Sequence, residues 1–367
     1  MSAPIATGRA ALHLARTVIA AGWNSSATND HHTTPECAVG CPFGFRPRVL
    51  PRSTGELTLV VEPPVQCAGV RIAFATTTAE VLGDADADRG LHEEVYVRAG
   101  VALDHCVWWD PSVEWGRYDL VIIRSPWDYV PRLGEYRQRL GAMDQLGTLR
   151  NPAAAVEWNI DKRYLLEPGS AGVPVIPTRM ATSEQDLMAT LEPMAGQMVI
   201  KPVSSAGRVD NGRFHAGDPE ATRLARAILA GGTPLMVQPA VPSVATDGEV
   251  RAVLFGGEIS HAFRKGPILA LGGGFQRQGY EERVEPGALS VEQERVVTEA
   301  HRAVAQIAAD RSGVTGPLLY ARIDVVRAAD GRDVVLEVEL NEPSFFLPVD
   351  AAAADRFVAA ILRQAGE

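Results

Sequence analysis

The chain has few cysteines, no long apolar run and no excess of positive charge. Four cysteines in 367 residues, three of them within the first 67 positions, give no indication of a disulfide-stabilised scaffold. No apolar run approaches the roughly 20 residues that span a bilayer. Acidic residues outnumber basic ones by 45 to 35, and the net charge of -10 argues against a nucleic-acid partner. We therefore expect a cytoplasmic globular protein without a membrane or nucleic-acid partner.

Two common nucleotide-binding motifs are also missing. The G-x-x-x-x-G-K pattern of a P-loop occurs nowhere in the chain. The segment after the first predicted strand, residues 75–80, lacks the G-x-G-x-x-G loop of an NAD-dependent dehydrogenase. Any nucleotide site must therefore be of another kind.

Chain length and local pattern predict several packed units. Residues 1–69 show scattered prolines and no sustained period, which predicts a disordered N-terminal extension. Residues 70–150 alternate short buried strands with helices, which predicts a parallel α/β domain. A first α+β segment over 151–197 and a larger α+β unit over 198–367 follow. The predicted fold class is thus α/β plus α+β.

A predicted β-hairpin near the C-terminus carries an unusual set of polar side chains. Two apolar, β-branched runs flank a turn at residues 329–332. Side chains alternate along a strand, so Glu337, Glu339 and Asn341 share one face. Asp324 joins them from the neighbouring strand. Such oxygen ligands suit Mg²⁺, with Mn²⁺ as the alternative, although a solvated acidic strand face would show the same pattern.

A second group of residues suggests phosphate and adenine binding. Lys201 ends an apolar strand and is followed by a small-residue loop with Ser205 and Gly207. Backbone amides of such a loop and a lysine ammonium can hold phosphate oxygens, but this signal is weak by itself. A later strand leads to a polar bend at Gln238 and Ala240, which can present backbone groups to an adenine.

A further hairpin adds charged residues beside this site. Glu249 is a candidate for ribose hydroxyls, while Arg251 and Lys265 face one way and can reach phosphates or substrate. The glycine-rich segment 266–274 is a candidate lid, and Arg277 beyond it is a candidate substrate contact. We assign Arg251, Lys265 and Arg277 as catalytic candidates.

The loop after the third predicted strand of the α/β domain is a candidate substrate site, because ligands gather where parallel strands end. The guanidinium of its arginine can donate two hydrogen bonds to a carboxylate, and its aromatic residues can line one side of a binding pocket. A helix cap with aromatic packing is the alternative. The candidate residues are Arg124, Ser125, Trp127, Asp128 and Tyr129.

In this order the lysine, small-residue loop, hinge strand, acidic residue and final carboxylates resemble the ATP-grasp superfamily, in its glutathione synthetase-like branch. The resemblance implies an N-terminal α/β domain followed by two α+β subdomains that grip ATP. It assigns ATP phosphates to Lys162 and Lys201, the phosphate-covering loop to Ser205 and Gly207, the adenine hinge to Gln238 and Ala240, the ribose to Glu249, and Mg²⁺ to Asp324, Glu337 and Glu339. Glu339 stands where that family usually has asparagine, and Asn341 restores the pattern one step along.

Residues 123–129, 158–165 and 338–346 resemble ATP-grasp proteins related to the cyclo-ligase of D-cycloserine biosynthesis. The resemblance implies amide formation through an acyl phosphate, with ring closure of O-ureido-D-serine, an amino-acid-like substrate. An intermolecular carboxylate–amine ligase, and an ATP-binding protein without catalysis, are the alternatives. A homodimer is the default assembly for this architecture.

Overall fold

The chain divides into two compact units, Met1–Val65 and Gln66–Glu367. Within the first, β1 (Arg46–Pro51) pairs antiparallel with β2 (Leu57–Glu62), so part of the segment predicted to be disordered forms a hairpin. The rest of that segment, up to residue 68, lies outside the described residues. The computed structural model describes residues 46–51, 57–62, 69–83, 86–204, 210–266, 271 and 284–366.

The second unit begins with a parallel sheet. Its strands are β3 (Arg71–Thr76), β4 (Ala102–Val107), β5 (Leu120–Ser125) and β6 (Leu149–Arg150). They are ordered β4-β3-β5-β6, and every residue of β5 is buried, as expected for a strand covered on both faces. The helices between them are α1 (Ala79–Leu82), α2 (Arg89–Arg98) and α3 (Leu133–Asp144). The predicted parallel α/β domain is confirmed.

An antiparallel sheet follows two connecting helices, α4 (Ala153–Ile160) and α5 (Leu166–Ser170). Its strands are β7 (Arg179–Ala181), β8 (Gln197–Pro202), β9 (Gly212–His215) and β10 (Leu235–Pro239), in the order β7-β10-β8-β9. One face is covered by α6 (Glu184–Leu191) and α7 (Pro219–Ala230). Because β7 pairs with β10, this sheet crosses the predicted boundary after residue 197.

The largest sheet has the order β13-β12-β11-β14-β15 and is antiparallel throughout, with strands β11 (Glu249–Phe255), β12 (Glu258–Lys265), β13 (Val284–Gly287), β14 (Tyr320–Arg327) and β15 (Asp333–Glu339). Both hairpins predicted from the sequence are present. The helices of this region are α8 (Ser243–Asp247), α9 (Val291–Ser312) and α10 (Ala353–Ala365). Among the described residues, no helix is long and apolar enough to cross a membrane.

The two faces of the largest sheet differ in character. On one face, buried apolar residues such as Ala252, Ile323 and Val338 pack against α9, which begins at a capping box formed by Ser290 and Gln293. The opposite face is mostly polar where the site lies. This contrast follows from strand alternation, because the residues between the apolar ones point the other way.

A cluster of aromatic rings packs the parallel sheet against the largest sheet around Phe255, at the end of β11. Phe357 of α10 packs 6.3 Å from Phe74 of β3 and 4.7 Å from Phe255 of β11, measured between ring centres. Phe345, in the segment after β15, lies 5.0 Å from Phe357. Burial of these large rings stabilises the contact between the two parts of the second unit. The site lies on the other part of the polar face, around Asp324 and Glu337.

Candidate active site

Three carboxylates converge on the polar face at the hairpin of β14 and β15. Asp324 lies directly opposite Glu337, and Glu339 lies opposite Arg322. One oxygen from each of Asp324, Glu337 and Glu339 lies within 4.8 Å of the others. Asp324 is buried and the two glutamates are half-buried. The structure thus brings together the three acidic residues that strand alternation predicts, and their hard oxygen donors fit Mg²⁺. Their role as metal ligands stays a prediction.

Basic side chains hold these carboxylates in place. Lys162 Nζ donates a hydrogen bond to Glu337 Oε1 at 2.7 Å. Arg322 donates to Asp324 through Nε at 2.9 Å and through Nη2 at 3.1 Å. Its Nη2 also donates to Glu339. Arg322 therefore bridges two of the three acidic residues from the interior of the site.

The pKa values of the two glutamates move in opposite directions. Burial opposes charge on Glu337, but Lys162 and Lys201 outweigh it and hold the pKa of that carboxyl well below its usual range. Burial is also the largest influence on Glu339, and with repulsion from Glu337 it outweighs Arg322, so the pKa of Glu339 is raised. A divalent cation would relieve the repulsion within this cluster.

Lys201 approaches the site from the second sheet. Burial, the largest influence, lowers the pKa of Lys201, although Glu337 acts in the opposite direction. On β10, Met236 lies opposite Lys201, so strand alternation puts Gln238 on the same face as Lys201. An ammonium that burial has deprived of water gains from a bound anion. The binding of phosphate oxygens by Lys201 stays a prediction.

The predicted adenine hinge is well anchored. Gln238 is buried and its Nε2 donates to Thr178 Oγ1 at 2.9 Å. The amide of Ala240 donates to the carbonyl of Gln197 at 2.9 Å. Adenine binding by Gln238 and Ala240 stays a prediction.

Three predicted site residues lie outside the described residues, namely Ser205, Gly207 and Arg277.

Glu249, Arg251 and Lys265 occupy the same polar face. Arg251 is buried, its Nη2 donates to Glu249 Oε2, and its Nε lies 3.3 Å from Asp324 Oδ2. Lys265 is buried and lies opposite Glu249 in the pairing of β11 and β12. The structure thus brings these predicted residues beside the carboxylate cluster. Their catalytic and ribose-binding roles stay predictions.

Arg124 has a different environment from the one its predicted substrate role requires. It is 3% exposed, and its Nη2 donates to Asp88 Oδ2 at 3.1 Å. Its Nη1 donates to the carbonyl of Pro343 at 3.1 Å, and its guanidinium carbon lies 3.7 Å from the ring centre of Phe345. Protein acceptors therefore bind both terminal nitrogens of the guanidinium that the sequence predicts for a substrate carboxylate. Arg124 instead ties the parallel sheet to the segment after β15.

Asp128 supports the aromatic residues at the end of β4. Its Oδ1 accepts a hydrogen bond from the indole of Trp108 at 2.7 Å, and its Oδ2 accepts one from Trp109 at 3.0 Å. The guanidinium of Arg132 lies over both indoles. These contacts match the alternative of aromatic packing that the sequence left open for this loop.

The remaining loop residues lie around this packing. Ser125 is buried and donates to Asp86 Oδ2 at 2.7 Å. Tyr129 is buried, with its ring centre 4.7 Å from that of Tyr136. Trp127 is half-buried. A substrate contact at Ser125, Trp127 or Tyr129 stays a prediction.

Asn341 lies beyond the end of β15 rather than in line with the two glutamates. It is 3% exposed, and its Oδ1 accepts a hydrogen bond from the hydroxyl of Tyr136 at 2.5 Å. This contact favours Glu337 and Glu339 over Asn341 in the carboxylate cluster.

Two further residues of the site were not predicted, Arg322 and Glu342. Burial, with repulsion from Glu339, raises the pKa of Glu342 to about 8.

Solved structures give the class of protein to which this fold and site belong. The crystal structure of D-cycloserine synthetase DcsG matches 80% of this chain and 99% of its own, with a TM-score of 0.72 and 31% identity. The ATP-grasp ligase PsnB, solved with its minimal precursor, Mg and ADP, matches 81% of this chain and 99% of its own, with a TM-score of 0.53 and 20% identity. The chain has the ATP-grasp fold and is a ligase of that class.

Sequence comparison narrows the class to one family. The model for the N-terminal domain of D-cycloserine synthetase DcsG matches residues 72–151. Cycloserine biosynthesis protein DcsG from Streptomyces lavendulae is 35% identical over 274 residues, which cover 71% of this chain and 88% of that protein. The chain belongs to the DcsG family. It is an ATP-dependent ligase that forms C–N bonds in a small-molecule substrate, as the sequence predicts.

Proposed function

We propose that this ligase closes the ring of O-ureido-D-serine to give D-cycloserine, using ATP and Mg²⁺. The observation that carries the proposal is the cluster of Asp324, Glu337 and Glu339 facing Lys162 and Lys201. Carboxylates beside lysines suit a metal–nucleotide complex, because the metal and the ammonium groups share the phosphate charge. The match to DcsG over most of its length supports the choice of substrate.

Asp324, Glu337 and Glu339 are the residues that would hold Mg²⁺, with Mn²⁺ as a substitute. When bound, the metal supplies positive charge to the β- and γ-phosphates of ATP. The protein's own part is to orient the carboxylates through Arg322 and Lys162, which contact all three of them. Lys201, which lies on β8 of the four-stranded antiparallel sheet, would bind phosphate oxygens, and Glu249 would bind the ribose.

The chemistry proceeds in two stages. A substrate carboxylate oxygen attacks the γ-phosphorus, ADP leaves, and an acyl phosphate forms. The aminooxy nitrogen of the same molecule then attacks the acyl carbon, and phosphate leaves with the carboxylate oxygen. Water removes the carbamoyl group as carbon dioxide and ammonia. Lys162, Lys201 and Arg251 stabilise the negative charge of the transferred phosphoryl group, and Lys265 binds near the acyl group.

The second candidate is an intermolecular ligase that joins a carboxylate to a separate amine, because it would use the same nucleotide residues. We would measure ADP release from MgATP with O-ureido-D-serine alone, and separately with pairs of amino acids. ADP release with the single substrate, with an equal yield of cyclic product, supports the cyclo-ligase. Turnover only when a separate amine is supplied supports the intermolecular ligase instead.

We also propose that the enzyme acts in the cytoplasm as a homodimer. Two-fold dimers are the commonest closed assembly of soluble proteins. Native mass spectrometry of the purified protein would test it. A single species with the mass of one chain would contradict it.

A further inference from the structure

Residues 343–347, which follow the hairpin of β14 and β15, are held by side chains from distant parts of the chain. His261 Nε2 lies 2.7 Å from the carbonyl oxygen of Phe345, and Arg124 donates to the carbonyl of Pro343. The carboxylate of Asp88 accepts hydrogen bonds from the amides of Phe345 at 2.8 Å and of Leu347 at 2.7 Å. Asp88 is 1% exposed and lies in the α/β domain.

The residue between those two amides has an uncommon backbone. Phe346 has φ 51 and ψ 48, which is the left-handed region that side chains other than glycine rarely adopt. Asp88 binds the amide on each side of Phe346, so its carboxylate favours this conformation. Arg124 in turn fixes Asp88 through their buried ion pair at 3.1 Å.

The left-handed backbone directs the Phe346 ring towards the polar face of the largest sheet. The ring centre lies 4.8 Å from that of Phe263 on β12. Lys265 Nζ, two residues along the same strand, lies 5.7 Å from the centre of the Phe346 ring. A ring at that distance attracts an ammonium group and limits where it can lie.

We propose that Asp88 is a positioning residue for the ligase reaction, acting through Phe346 on Lys265. The carboxylate of Asp88 holds the backbone of Phe346, and the Phe346 ring fixes the Lys265 ammonium beside the acyl group of the amino-acid-like substrate. This inference rests on the proposed function. It gives the α/β domain a defined part in substrate binding, through a residue that does not touch the substrate.

The test compares Asp88→Asn, Phe346→Leu and the double variant in steady-state ADP release. Each single variant raises the KM of the carboxylate substrate, by about tenfold for Asp88→Asn, the size expected when charge-assisted hydrogen bonds are lost. The KM of ATP stays within about twofold, because the contact of this segment with the carboxylate cluster, from Arg322 Nη1 to the carbonyl of Ser344, involves neither Asp88 nor Phe346. In the double variant the KM of the carboxylate substrate is at most about twofold above that of the single variant with the higher KM, because both changes act on one contact.

Asp355→Asn is the matched control. It removes the exposed ion pair of Arg98 and Asp355, at 2.6 Å, which also joins the α/β domain to α10. Its kinetic constants stay at wild-type values. Multiplying effects in the double variant, a parallel rise in the KM of ATP, or a wild-type KM in Phe346→Leu would each overturn the proposal. Phe346→Leu keeps an apolar side chain, so it decides the matter even where Asp88→Asn does not fold.

Hydrogen exchange separates this proposal from the proposed function, because it needs no substrate. In Asp88→Asn the amides of Phe345 and Leu347 exchange at least about tenfold faster than in wild type, while Asp355→Asn leaves them unchanged. Unchanged protection at these two amides would overturn the positioning role. A wild-type enzyme that is inert towards O-ureido-D-serine would instead overturn the choice of substrate.

Discussion

Replacing Arg322 with methionine tests whether the carboxylate cluster depends on a buried cation. Arg322 is 4% exposed and donates to both Asp324 and Glu339. The variant therefore removes the ion pair of Glu339 and leaves Asp324 with Arg251 alone, at 3.3 Å. Removing one partner of a buried ion pair costs about 3–5 kcal/mol, a large part of the roughly 5–15 kcal/mol that stabilises a folded domain. We expect a loss of that size in the free energy of unfolding.

The assay is denaturant unfolding of both proteins, first with a chelator and then with excess Mg²⁺. Mg²⁺ would take the place of the missing guanidinium between the carboxylates, so it stabilises Arg322→Met more than wild type. Arg295→Met is the control, because Arg295 forms an exposed network with Glu292 and Glu299 and contacts nothing in the site. Two outcomes would show that the cluster does not depend on Arg322. One is a loss of unfolding free energy in Arg322→Met no larger than in Arg295→Met, and the other is an equal effect of Mg²⁺ on wild type and Arg322→Met.

Three further predictions concern the site and its surroundings. Glu337→Gln removes the partner of Lys162 and one candidate metal ligand, so kcat for ADP release falls by at least about 100-fold; near-normal turnover would contradict the assigned role. Asp128→Ala leaves the indoles of Trp108 and Trp109 without their acceptor and lowers stability by about 1–3 kcal/mol, measured by thermal unfolding; an unchanged melting temperature would contradict it. Burial lowers the pKa of His261 below 6.5, so the unfolded state binds more protons and stability falls as the pH drops below 6.5; His261→Gln makes that decline shallower, and an equally steep one would contradict the assignment.

Much of the fold was predictable because it follows from local patterns. Buried strands alternating with helices indicated the parallel sheet, and strand alternation alone placed Asp324, Glu337 and Glu339 on one face. The same alternation also applies to Arg322, two residues before Asp324, so that residue was within reach of the sequence argument. The hairpin of β1 and β2 was not predicted, because prolines interrupt the pattern around it.

The environment of the α/β domain loop was not predictable from sequence. Arg124 contacts Asp88 and Pro343, which are 36 and 219 residues away, and no local pattern encodes those distances. An arginine in a loop at the end of a parallel strand resembles a ligand-binding residue until the packed partners are known. Asn341 has the same difficulty, because its hydroxyl partner, Tyr136, is 205 residues earlier in the chain.

In the proposed reaction, ATP activates one substrate molecule, which then closes on itself. An isotope-transfer experiment uses O-ureido-D-serine with oxygen-18 at both carboxylate oxygens, MgATP and the purified enzyme, followed by mass analysis of the phosphate and the ring product. We expect each phosphate released to carry one labelled oxygen, in equal yield with D-cycloserine. Unlabelled phosphate, or labelled phosphate without the ring product, would contradict it.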